Sequence, residues 1–127
     1  MSFSMYVQKS EHGESVPMDE ALAREILSPH IAAGGGDPVV AVRADDGGVT
    51  EVYVDASGLM IHRPERDGIF DITAELIDRL DAVLLIPGGP AVVRSETVRE
   101  HLPEELQRDA VVIELSGAAI LRVLETC

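Results

Sequence analysis

Four histidines, one cysteine and one serine at a helix start are the residues of this chain whose types could do chemistry. Their spacing assembles no complete site. His12, His30, His62 and His101 stand singly, with no His-x-His or His-x3-His pair to begin a metal centre. Cys127 is the lone cysteine, so neither an intrachain disulfide nor a cysteine metal cluster can form. A serine nucleophile needs a positioned base, usually a histidine oriented by a carboxylate. Nothing in the sequence ties a histidine to Ser116, whose expected role is to cap the helix that follows it. Asp45-Asp46-Gly47 lacks the full Asp-x-Asp-x-Asp-Gly spacing and the distal glutamate of a calcium loop. This reading assigns no catalytic residue, no metal and no cofactor.

Three weaker constellations remain. Pro87-Gly88-Gly89-Pro90 follows the apolar run Val83 to Ile86, and consecutive glycines let backbone N–H groups converge on an anion. The simpler expectation is a strand reversal. No Gly-x4-Gly-Lys-Ser/Thr pattern is present, which excludes an ordinary P-loop. His62, Arg63 and Arg66 form the only local basic cluster, able to hold a carboxylate or phosphate or to pair with neighbouring acids. Glu51, Tyr53 and Asp55 alternate along one strand and form an acidic stripe around an amphipathic aromatic, the preferred contact surface for a basic protein.

Leu80 to Gly89 resembles the strand and Pro-Gly-Gly turn of the class I glutamine amidotransferase-like superfamily. That resemblance implies a later strand-turn-helix elbow carrying a nucleophilic cysteine within Cys-x-Gly. The matching stretch, Glu114 to Ala119, has Leu115 and Ser116 in that neighbourhood, and the similarity reaches at most residues 80 to 124. The activity is therefore not expected to carry over.

The elements that must position these groups are legible from periodicity. Phe3, Met5 and Val7 alternate with polar residues as a first strand, and Asp19 opens a helix burying Leu22, Ala23, Ile26 and Leu27. Strands at Val39 to Ala44 and Thr50 to Asp55 flank the hairpin signal Asp45-Asp46-Gly47-Gly48, and Leu59 to Arg63 continues the meander. Gly34-Gly35-Gly36 reads as a connector. A second helix runs behind Asp71 as its expected N-cap, through Ile72, Leu76, Ile77 and Leu80. Val83 to Ile86 and Ala110 to Leu115 read as buried strands, with short helical turns around Pro103 between them and a final helix after Ser116. The order is β-α-β-β-β-α-β-(short α)-β-α. It predicts a single α+β domain over residues 1–127, with a mixed sheet of five or six strands, an antiparallel meander in its middle and about three helices. The crossover between the last two strands allows them to be parallel.

Charge sets the function classes. Twenty-three carboxylates face ten cations, nine of them arginines, for a formal net charge of -13 on 127 residues. Such a surface repels phosphate backbones and anionic membranes within a Debye length of about 8 Å and attracts a basic partner. Nucleic acid binding is disfavoured. Neither a basic, apolar leader nor a membrane-spanning run is visible, so a cytoplasmic bacterial protein is the expectation. The favoured reading is a non-catalytic interaction module, of the inhibitor or immunity kind, that docks a basic protein. The alternative is a small-molecule binder or enzyme using the Pro87 to Pro90 loop. A homodimer through exposed sheet edges or the last helix, with Cys127 able to cross-link two chains, is compatible with either.

Overall fold

The computed structural model describes residues 3–33, 39–64 and 67–126. The Gly34 to Gly36 connector, Arg66 and Cys127 lie outside the described residues. Among those described, nine strands and five α-helices follow one another along the chain. They run β1 (Met5–Glu11), β2 (Glu14–Val16), α1 (Glu20–Leu27), β3 (Ile31–Ala33), β4 (Val39–Arg43), β5 (Val49–Asp55) and β6 (Gly58–His62). Then come α2 (Ile69–Leu80), β7 (Val83–Leu85), β8 (Ala91–Val93), α3 (Glu96–Glu100), α4 (Glu104–Gln107), β9 (Val111–Val112) and α5 (Gly117–Thr126). The mixed α+β class is as expected; the sheet is larger, because β2, β3 and β8 are three-residue strands too short to declare a period.

The sheet order is β3-β4-β5-β6-β1-β7-β8-β9, with β2 paired to the far end of β1. Every pairing is antiparallel except β8 with β9. The two expected last strands are therefore not neighbours. β8 inserts between them, antiparallel to β7 and parallel to β9, because Ile86 to Gly89 reverses the chain at once instead of leading into a crossover. The expected hairpin between β4 and β5 is present, closed by Gly47 at φ +83° and by an Ala44 N–H that donates to the Gly48 carbonyl at 3.0 Å.

Alternation divides the sheet into two faces. Met5, Val7, Val40, Val42, Val52, Val54, Leu59, Ile61, Leu84 and Val92 point to an inner face, where α1, α2 and α5 pack over them around Phe70, Leu76, Ile77 and Ile120. Val83, Ala91 and Val93 point outward and are covered by Val98 of α3, Leu106 of α4 and Leu102 between the two helices. β7 is thus covered on both faces, which explains its unbroken apolar run. No helix among the described residues is long and apolar enough to cross a membrane.

Two helix starts show how the loops are pinned. Asp19 caps α1 by accepting the Leu22 N–H at 3.0 Å, as its residue type predicts. Asp71 does not cap α2. That helix begins earlier, at Ile69, with Gly68 in the cap position, and Asp46 of the β4–β5 turn accepts the Gly68 N–H at 2.8 Å. Asp71 sits in the first turn, where the helix dipole favours its charge and where the start of α5 comes closest.

Candidate functional site: an acidic groove and an uncovered sheet face

The groups singled out from sequence fall in three places. Glu51, Tyr53 and Asp55 share the outer face of β5, with Thr50, Val52 and Val54 buried behind them. His62 lies on the same face, opposite Glu51 in the β5–β6 register. Its ring meets Tyr53 edge to face at 6.2 Å, and its Nδ1 is 3.3 Å from the Ser4 hydroxyl. The structure therefore joins His62 to the acidic stripe. Arg63 leaves the strand at φ +40° and is exposed.

Asp55 has a local role. It accepts from both the hydroxyl and the N–H of Ser57, and these bonds, with a further one from the Gly58 N–H, hold its carboxyl below the usual carboxylate value. A depressed carboxyl stabilises the fold above its unfolded value and loses that contribution as pH falls through the folded one, so the effect is confined to the acid side. In a carboxyl-detected NMR titration Asp55 is expected to protonate below the usual carboxylate value. Ser57→Ala should move it up toward that value; an unmoved Asp55 would rule the hydroxyl out as the cause.

Pro87 to Pro90 forms the hairpin turn between β7 and β8. The Gly89 N–H donates to the Ile86 carbonyl at 2.9 Å and Gly88 sits at φ +74°, the pattern of a type II turn with proline and glycine in its central positions. The Gly89 N–H is thus used inside the turn. Because β7 has antiparallel neighbours on both sides, the rule that ligands gather beyond the carboxyl ends of parallel strands does not apply there. Ser116 is a cap, accepting the Ala119 N–H on its hydroxyl at 3.0 Å.

Two other histidines meet at a turn. His12 and Gly13, at φ +51° and +82°, form the two-residue loop between β1 and β2, and positive φ at both positions marks a type I′ turn. The His12 N–H donates to His101 Nδ1 at 3.1 Å and the Gly13 N–H to the His101 carbonyl at 3.0 Å. With Nδ1 accepting, the neutral His101 ring carries its proton on Nε2. The rings pack edge to face at 5.0 Å beside a small pocket of 260 Å³ that also includes Glu11 and Asp81. Among the described residues no group of three or more His, Cys, Asp or Glu is arranged to hold a metal ion.

No family model matches the sequence, no curated protein is similar to it, and no solved structure matches its fold. What the chain can do has to be read from its own surface.

A concavity of 750 Å³ opens between α2 and the stretch Ile113 to Gly117. It lies beyond the carboxyl ends of β8 and β9, the one parallel pair, where Arg94 and Ile113 leave the sheet. Ala74, Ile113 and Leu115 line it with apolar surface, and Asp71, Glu75, Asp78 and Glu114 line it with carboxylates. Asp71 and Glu75 also line a neighbouring hollow with Asp45 and His30, so the carboxylates continue along α2. Arg94 is the cation of the main groove, and it is already engaged by Asp78 and Asp81. Burial pulls the guanidinium down, but the hydrogen bonds and charges of Asp81 and Asp78 outweigh it and leave Arg94 above its ordinary value. It is committed to those partners. Sequence reasoning concentrated the acids on the β4–β5 hairpin; the available signal for the groove was the spacing of Asp71, Glu75 and Asp78, which shares one helical face.

Proposed function

We propose that this chain is a non-catalytic interaction module, of the inhibitor or immunity kind, that docks a basic protein in the groove between α2 and the Ile113 to Gly117 stretch. The observation that carries the reading is the lining of that groove: four carboxylates together with three apolar side chains, and one guanidinium already paired. A lysine or arginine side chain entering it meets opposite charge at its head and apolar surface along its stem. The chain's net charge of -13 steers such a partner toward it.

The stripe Glu51, Tyr53 and Asp55 supports a second placing of the same function. Two exposed carboxylates there flank a half-buried tyrosine, a residue type enriched at binding hot spots.

One comparison tests the function and separates the two surfaces. Wild type, Glu75→Lys/Asp78→Lys and Glu51→Lys/Asp55→Lys are used as baits at about 50 mM and about 500 mM salt, with mass-spectrometric readout. The expected result is a basic protein retained by wild type at low salt and released at high salt. Reversal in the groove should weaken its binding about tenfold, while reversal on β5 should not. The opposite pattern moves the site to β5. Recovery of no basic protein, or equal retention by all three baits, overturns the reading.

A further inference from the structure

The outer face of the sheet is covered over only part of its width. α3 and α4 bury the outward residues of β7 and β8, and no described helix lies over β4, β5, β6 or β1 on that side. Register carries one row of side chains across the boundary. Val39 pairs with Tyr53, Tyr53 with Met60, Met60 with Tyr6, and Tyr6 with Leu85, where the cover begins. Paired residues share a face, so this is a continuous apolar and aromatic row in which no member carries a charge. Tyr6 is 36 % exposed, and Val39, Tyr53 and Met60 are half-buried. Both tyrosines of the chain stand in this row.

The charges around the row identify its occupant. Arg43 and Glu51 on one side of the row and Asp55 on the other leave this face close to neutral, whereas the chain as a whole carries -13. A strongly basic protein finds its counter-charges in the α2 groove, on the other side of the sheet. Two copies of an acidic chain repel, and a face close to neutral, with both signs present, lets them approach. We propose that two copies of this chain meet here, sheet against sheet, about a two-fold axis that sets each Tyr53–Met60–Tyr6 row on its mate.

Size sets the strength. Four strands at about 4.8 Å spacing and about seven residues of length give a patch of roughly 450 Å² per copy. Stable complexes bury about 800 Å² per partner, so this dimer is a weak one that populates in the micromolar range. Its salt dependence has the opposite sign to that of the basic partner. Salt screens the repulsion between two acidic copies and strengthens the dimer, while it weakens docking of a basic protein. The two proposals therefore fail separately.

The chain has no tryptophan and only two tyrosines, so its intrinsic fluorescence reports this face alone. Sedimentation equilibrium over about 5 to 500 µM, with reductant present to keep Cys127 from cross-linking, is read beside iodide quenching of tyrosine emission. A monomer–dimer equilibrium is expected, with quenching falling as the dimer fills and with at least threefold tighter association at 500 mM than at 50 mM salt. Met60→Lys should abolish the dimer, and Tyr6→Ser, a milder change at an exposed site, should weaken it about tenfold. Glu75→Lys/Asp78→Lys should not weaken it. A monomer at every concentration overturns the proposal. So does a dimer that survives Met60→Lys, or one that forms without protecting the tyrosines from iodide.

Discussion

Gly117→Ala is expected to destabilise the fold by about 3 kcal/mol, the upper part of the range for overpacked sites. A Cβ on residue 117 would lie 2.2 Å from Asp71 Oδ1 and 2.9 Å from the Asp71 backbone nitrogen. The carboxylate could swing aside, but the nitrogen belongs to the first turn of α2 and cannot move without moving the helix. The crossing of α2 and α5 would have to open, and with it the packing of Ile120 and Ile77, both fully buried. A thermal midpoint lower by roughly 10 °C is the corresponding calorimetric result. Asp71→Ala in the same background should recover part of the loss, because it removes the carboxylate and leaves the backbone contact. Full recovery would mean that the helices do not approach as closely as the backbone contact requires. The substitution also reshapes the acidic groove, of which residues 71 and 117 are both walls.

Gly58→Ala should cost about 2–3 kcal/mol for a different reason. Gly58 opens β6 at φ +152°, and a Cβ there would stand 2.7 Å from the carbonyl oxygen of Val7 in β1. Strain and collision act together on the strand beside which β6 must lie. Gly47 provides the control. It too has positive φ, at +83°, but nothing lies within 4 Å of its would-be Cβ, so Gly47→Ala should cost only about 1 kcal/mol. Urea unfolding of the two variants side by side reads the difference. Equal losses would remove the close approach of β6 to β1 from the account.

Local chemistry made the β4–β5 hairpin and the cap at Ser116 readable without coordinates, since each depends on residues within a few positions. The misses were decided at long range. Asp71 looked like a cap because an acid precedes an apolar repeat, yet the helix begins earlier, at Ile69, and Asp46 from another turn holds the Gly68 N–H at its start. β8 was hidden because three residues after a proline declare no period, and its absence paired the wrong strands. The groove required α2 and the Ile113 to Gly117 stretch to come together, a juxtaposition set by the α2–α5 crossing. The outer row across β4, β5, β6 and β1 needed strand order, which periodicity does not supply. Alternation did identify the outward positions of β5 correctly, because one face of that strand is buried.

The placement of β1 governs the order in which this protein can be built. Of the described strands it is the first to leave the ribosome, and it ends in the interior of the sheet, with β6 on one side and β7 on the other. Met5 cannot find its partner until Ile61 has been made, and Tyr6 must wait for Leu85. The far end of the same strand is clasped last, when its hairpin turn reaches His101. The hairpins among β3 to β6 close locally and early, while the strand that unites the two halves closes late and at high contact order. During synthesis Met5 and Val7, both fully buried at the end, spend that interval in water. A nascent chain of this topology therefore carries the apolar face of β1 uncovered until β6 and β7 have been made.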